Sequence, residues 1–189
     1  MEDVKSTILK KINDEESEHQ HVTFLIGEET YGVGVEKVKE IIGMTDITHV
    51  PNAAYFMEGV INLRGSVVPV VDLRKKFRMK RREYDNYTVI IIVEVKDRLI
   101  GMIVDSVSDV VNIPISTIQS TPQFTAKIKT DFIDGIGRID TNLIILLDVD
   151  MILSEEEIET IDTIDSSDVG TESDVKDEDN EQQDDKNLS

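Results

Sequence analysis

Two histidines near the start of the chain are the first side chains that could bind a metal. His19 and His21 are two residues apart, so on a strand they would share one face. A zinc site needs three or four ligands, and the neighbouring sequence offers no third one. An ordinary surface position is therefore favoured for both histidines.

A run of acidic residues partly matches a calcium-binding loop. Asp148, Asp150 and Glu159 stand at the spacing of loop positions 1, 3 and 12. Leu153 stands at position 6, where the loop needs a glycine for its sharp turn. We predict that the chain holds no metal ion.

Patterns typical of enzymes are absent from the sequence. There is no cysteine, so there is no thiolate nucleophile and no disulfide framework. Gly135-Ile136-Gly137 is an isolated G-x-G without the third glycine of a nucleotide-binding loop. No acidic residue is paired with a nucleophile at a recognisable spacing. We predict a protein that is not an enzyme and needs no cofactor.

The formal net charge of −19 is concentrated at the C-terminal end. From Ser154 onward there are 15 acidic and two basic residues, a net charge of −13, which leaves −6 for the rest. A nucleic-acid partner is disfavoured because phosphates require a basic face. The basic run from Arg74 to Arg82 is interpreted as a solvated helix end and loop.

Composition divides the chain into three parts. Residues 1–19 form a polar arm, and residues 20–153 hold nearly all the aromatic and β-branched residues. Residues 154–189 are expected to be a disordered acidic tail because they have little apolar surface to bury. Ser154 and Glu157 form a capping-box pattern, so a first helical turn or two is expected there. The apolar runs are too short to cross a bilayer, which needs about 20 residues.

Alternating apolar residues and tight turns predict a mainly β domain. Residues 35–42 change to a helical period, so a short helix is predicted there. Pro69 inside a strand pattern predicts an edge strand or a bulge. Asp72 stands where the N-cap of a short helix belongs. Many short strands with few helices favour barrels or sandwiches over a parallel α/β sheet.

One long motif resembles a known family. Residues 59–77 read GVINLRGSVVPVVDLRKKF, which is similar to the central hairpin signature of CheW-like domains. Tyr31-Gly32-Val33, followed by Val38-Lys39-Glu40-Ile41, and the segment from Gly101 to Val107 resemble two further family segments in order and spacing. The resemblance covers about residues 20–153.

The resemblance implies a fold of two packed five-stranded β-barrel subdomains with a few short helices. One subdomain would hold about residues 30–86, and the other about 87–153 together with 20–28. It also implies a chemotaxis adaptor that joins the C-terminal CheW-like domain of the histidine kinase CheA to the cytoplasmic tips of methyl-accepting chemoreceptors. Such an adaptor would be cytoplasmic, recruited to membrane-associated receptor arrays without inserting into the membrane, and monomeric when free.

Other members of the family combine the domain with kinase modules or with a receiver domain, as in CheA and CheV. The 19 residues before the domain and the 36 after it are too few for either, so a standalone adaptor is expected. Two alternatives stay open. One is a scaffold in a non-motility phosphorelay. The other is a small-ligand β-barrel, which is disfavoured because no polar cluster converges on an obvious cavity.

The resemblance also suggests residues for partner binding. Glu40 and Arg64 match polar positions that the family uses at its contacts, although an ion pair between them with an architectural role is an equal alternative. Four apolar residues are expected either to line the groove between subdomains or to form ordinary core: Val38, Ile41, Val104 and Val107. Five residues are expected to shape the hairpin without touching a partner: Gly59, Asn62, Gly65, Pro69 and Asp72.

Overall fold

The protein is described by a computed structural model for residues 20–120 and 131–167. These residues form ten strands, two α-helices and three 3-10 turns. The strands are β1 Gln20–Ile26, β2 Glu29–Gly34, β3 Val38–Gly43, β4 Met57–Leu63, β5 Ser66–Asp72, β6 Val89–Val95, β7 Arg98–Val104, β8 Ser106–Asn112, β9 Ile133–Ile139 and β10 Asn142–Leu147. The helices are α1 Leu73–Lys76 and α2 Glu155–Ser167, and the 3-10 turns are Val35–Lys37, Ile115–Thr117 and Val149–Met151.

The strands form two five-stranded sheets, which confirms the predicted mainly β fold. The first sheet has the order β8-β1-β2-β10-β9 and the second has the order β3-β6-β7-β5-β4. Neither sheet is a closed barrel in the described ranges. In each sheet, an isolated bridge joins the segment that follows one outer strand to the opposite outer strand. The bridge pairs Thr48 with Val60 in the second sheet and Gln119 with Ile136 in the first.

Each sheet contains a hairpin from the opposite half of the chain. The β1–β2 hairpin joins β8, β9 and β10, while the β6–β7 hairpin joins β3, β4 and β5. This corrects the predicted subdomain boundaries for β2, β6 and β7. Hairpins are visible in the sequence, but the sheet to which a hairpin adds depends on long-range pairing, and consecutive strands are neighbours only about two-thirds of the time.

The two halves of the chain repeat one order of elements. Strands β1 to β5, followed by α1, correspond to β6 to β10, followed by a 3-10 turn. Asp72 and Asp148 cap these two terminal turns at the same place in each half. Gly59 and Gly135 both lie where a Cβ atom would press against the carbonyl oxygen of an isolated bridge. The molecule is therefore a pair of similar units that exchange hairpins.

Strand β6 shows how the core is built. All five residues from Val89 to Val93 are buried. Val89, Ile91 and Val93 belong to a large cluster shared by both sheets, whereas Ile90 and Ile92 belong to a smaller cluster inside the second sheet. Successive side chains of a strand point to opposite faces. An unbroken apolar run follows because both faces of this strand are covered.

Two local predictions need correction. The predicted helix over residues 35–42 is a single 3-10 turn followed by β3. Its apolar spacing also suits a strand that starts after a turn, because short apolar runs do not distinguish the two periods. The predicted tail begins with a 13-residue helix, α2, whose Ile161 is buried in the shared core. The arm 1–19 and residues 168–189 lie outside the described residues.

Among the described residues, no helix is both long and apolar enough to cross a bilayer.

Candidate partner-binding surfaces

Arg64 projects from the tight turn between β4 and β5. Arg64 and Gly65 have φ values of 51° and 89°, and positive φ at both central residues is typical of a type I′ turn. The Gly65 N–H donates to Asn62 Oδ1 at 2.8 Å, so Asn62 has the predicted backbone-binding role. The Arg64 side chain is 68% exposed. The turn thus presents a cation to solvent from a fixed backbone.

Glu40 lies opposite this turn on β3 and forms an ion pair with Arg64. The hydrogen bond to Glu40 raises the pKa of Arg64 above its usual value. Because β3 and β4 are the outer strands of the second sheet, the pair joins one outer strand to the turn that follows the other. Glu40 is on a strand and not on the predicted helix. The proximity suits both the binding and the architectural alternative.

Three of the four apolar candidates are buried. Val38, Ile41 and Val104 are 4%, 3% and 1% exposed and belong to the shared core. Their burial favours the ordinary-core alternative over a position lining a groove between subdomains. Val107 on β8 is half-buried and packs against the same core. Of this set, Val107 keeps surface that a partner could contact.

The backbone around Gly59 explains why a glycine stands there. Its φ is +146°, and the pairing register of β4 and β5 shifts between Met57 and Gly59. A Cβ atom at this position would overlap the carbonyl oxygen of Thr48. Because Gly59 has no Cβ atom, β4 can form its bulge and still approach the backbone of Thr48 closely enough for the bridge.

Pro69 and Asp72 complete the hairpin. β5 lies between β4 and β7, so the predicted edge position of Pro69 is wrong, and the bulge lies on β4. Pairing with β7 begins only at Val70, so the N–H that proline lacks is not needed by that ladder. Asp72 accepts from the backbone N–H of Lys75 at 3.3 Å, as its position before α1 predicts, and from the Tyr84 hydroxyl at 2.8 Å.

Asp105 joins the two sheets in a way that sequence reasoning missed. It lies between β7 and β8, where the chain crosses from the second sheet to the first. Its carboxylate accepts from Arg74 Nε and Nη2 at 2.7 and 2.5 Å, and from the Gly27 N–H of the β1–β2 turn at 2.8 Å. Both charged side chains are mostly buried. We call Arg74, Asp105 and Gly27 the first clasp.

Burial of Asp105 acts to raise its pKa. The hydrogen bonds from Arg74 and the Gly27 N–H, together with the charges of Arg74 and Arg82, outweigh burial and hold the pKa below its usual value.

A second clasp stands at the equivalent place in the other half of the chain. Asp150, after β10, binds Lys37 Nζ at 2.5 Å and accepts from the Lys96 N–H of the β6–β7 turn at 3.1 Å. The hydrogen bond from Lys37 lowers the pKa of Asp150 against the opposing effect of burial. Each clasp therefore ties an exchanged hairpin to the sheet from which it came. The charges are reversed: the cation follows β5 in the first clasp, and the anion follows β10 in the second.

Two exposed apolar residues also occupy equivalent positions. Val67 is the second residue of β5 and Leu143 is the second residue of β10, directly after the hairpin turns of the two halves. Their side chains are 43% and 60% exposed. The sequence contains a signal for them, because the segments 59–73 and 135–149 align without gaps. Each similar unit thus carries one exposed apolar residue next to its hairpin turn.

Comparison with known proteins gives consistent matches. The family model for the CheW-like domain matches residues 20–157. The chain is 35% identical over 159 residues to the chemotaxis protein CheW of Klebsiella aerogenes, covering 84% of this chain and 96% of the relative. It is also 35% identical over 150 residues to the chemotaxis protein CheW of Thermotoga maritima, covering 78% and 95%.

A solved structure agrees with the fold. The crystal structure of the scaffolding protein TtCheW from Thermoanaerobacter tengcongensis superposes with a TM-score of 0.69 at 35% identity, covering 74% of this chain and 94% of that one. The family model spans more than half of the chain, and it includes the two sheets and the hairpin that carries Arg64. The chain belongs to the CheW-like domain family.

Proposed function

We propose that this chain is a non-catalytic chemotaxis adaptor that couples the histidine kinase CheA to the cytoplasmic tips of chemoreceptors. The observation that carries the proposal is the family match over residues 20–157, which takes in both sheets. Relatives of similar length are named chemotaxis protein CheW, and the similar solved structure is described as a scaffolding protein. The adaptor would act in the cytoplasm, at the receptor arrays.

We propose that the kinase binds at the exposed hairpin tips. An interface needs an apolar centre with polar residues around it. The second sheet offers Val67, three residues after Arg64 in the same hairpin, and the first sheet offers Leu143. Arginine is a residue type favoured at interface hot spots.

Titration calorimetry tests this placement. The purified chain should bind the C-terminal CheW-like domain of a CheA from the same organism with saturable 1:1 stoichiometry. Glu40→Lys or Arg64→Ala should weaken that binding at least about tenfold, which corresponds to about 1.4 kcal/mol. Their circular dichroism should match the parent chain, because both side chains lie at the surface. Binding that is unchanged in both variants would contradict the placement, and no binding by the well-folded parent would favour a scaffold for a different kinase.

A further inference from the structure

The loop after α1 carries cations that its neighbours do not neutralise. Residues 74–82 contain seven basic side chains. Four of them pair with carboxylates, and these are Arg74, Lys75, Lys76 and Arg82. The other three, Arg78, Lys80 and Arg81, are exposed and form no ion pair with the residues that the structure describes. We call these three the basic loop.

The acidic end of the same chain starts close to this loop. Residues 168–189 contain nine acidic and two basic residues, a net charge of −7. They follow α2, and Glu157 near the start of α2 binds Lys76 Nζ at 2.6 Å. Lys76 is only two residues before Arg78. The first turn of α2 is therefore anchored beside the root of the basic loop.

Chain length allows the two to meet. Ten residues separate Glu157 from Ser167, which is about 15 Å of α-helix. The 22 residues that follow span at most about 75 Å when fully extended. The acidic segment thus begins within a few turns of helix from the loop and has ample length to return to it. A covalent link also gives it a local concentration that a free acidic chain in dilute solution does not reach.

We propose that residues 168–189 dock in cis on the basic loop formed by Arg78, Lys80 and Arg81. An exposed ion pair is weak by itself, so the association depends on several charges together. Salt screens such pairs, and the Debye length falls from about 10 Å at 0.1 M to about 3 Å at 1 M ionic strength. The docked segment competes with any acidic partner for the same three cations.

Zero-length carbodiimide cross-linking of the full chain, followed by peptide mass spectrometry, tests the contact. At low ionic strength, Lys80 should couple to carboxylates of residues 168–189, and the yield should fall several-fold in high salt. An equal mixture of ¹⁵N-labelled and unlabelled protein separates contacts within one molecule from contacts between molecules. Cross-links only between molecules, or Lys80 coupled only to other carboxylates, would overturn docking in cis.

Amide chemical shifts give a second, independent measurement. Deletion of residues 168–189 should shift the resonances of residues 78–82, and high salt should produce the same shifts in the full chain. The variant Arg78→Gln/Lys80→Gln/Arg81→Gln should shift resonances of the acidic segment. The control Arg138→Gln removes an exposed cation from β9 of the first sheet, and it should leave the resonances of the acidic segment unchanged. Loop resonances that are identical with and without the segment at low salt would overturn the proposal.

Discussion

At the scale of single residues, Arg64 is informative because its backbone is costly. A positive φ costs a residue with a Cβ atom about 1–2 kcal/mol, and glycine or asparagine is the usual choice at this turn position. The ion pair with Glu40 is largely exposed on the Arg64 side, so solvent screens it and it offsets little of this cost. The balance favours a binding role for Arg64 over an architectural one.

Arg64→Asn separates these two roles. Asparagine tolerates the positive φ, so the free energy of unfolding should stay the same or rise by up to about 1 kcal/mol. Binding to the CheW-like domain of CheA should weaken at least about tenfold. Urea unfolding and calorimetry measure the two quantities. A destabilised variant with unchanged binding would show that the pair is architectural.

Asp105 gives a prediction about pH. Its pKa is lower in the folded chain than in the unfolded one, so its stabilising effect is complete above the unfolded pKa of about 4 and is lost as the pH falls through the folded pKa. Asp105→Asn should therefore lower the free energy of unfolding at pH 7, and the difference from the parent chain should shrink below about pH 4. A difference that is constant from pH 7 to pH 3, in urea titrations, would contradict this account of the first clasp.

At the scale of elements, the two clasps allow a matched comparison. Arg74 and Asp105 are 14% and 12% exposed, whereas Lys37 and Asp150 are 35% and 32% exposed. Removing one partner of a buried pair costs about 3–5 kcal/mol because the other charge is left without compensation. Arg74→Met should therefore destabilise by about 3 kcal/mol, and Lys37→Met by no more than about 1 kcal/mol. Equal losses in urea unfolding would show that burial does not set the strength of the clasps.

Two glycines of the β4–β5 hairpin provide another matched pair. In Gly65→Ala the added Cβ atom has no neighbour within 4 Å, so the variant bears only the backbone strain of φ +89°. Gly59→Ala has a strained φ of +146° and also collides with the backbone of Thr48. Gly59→Ala should destabilise clearly more than Gly65→Ala, because the second bears only a strain of about 1–2 kcal/mol. Thermal unfolding of the two variants measures this difference. Similar losses of stability would contradict the close approach of Gly59 to Thr48.

Local features of these elements could be predicted from the sequence, and long-range ones could not. The cap at Asp72, the turn at Gly65 and the capping box of Ser154 and Glu157 depend on residues three or fewer positions apart, and the structure contains all three. The exchange of hairpins and the clasp at Asp105 depend on residues about 30 to 80 positions apart. A single sequence carries no direct record of such pairings.

At the scale of the whole molecule, the exchange of hairpins has a mechanical consequence. Both sheets contribute to the shared core, and each clasp ties a hairpin of one sheet to the other. We therefore expect the two sheets to unfold together, in one cooperative transition. An adaptor that relays the state of one partner to another benefits from such coupling, since a signal between two sites is a coupling free energy.

The central claim is that this chain binds the kinase and a receptor at the same time, and co-sedimentation tests it directly. CheA would be mixed with membrane vesicles that contain a chemoreceptor from the same organism, with and without this chain, and the kinase in the pellet would be measured. The account predicts that CheA sediments with the vesicles only when the chain is present, and that Arg64→Asn reduces the amount. Equal amounts of CheA in the pellet with and without the chain would contradict the account.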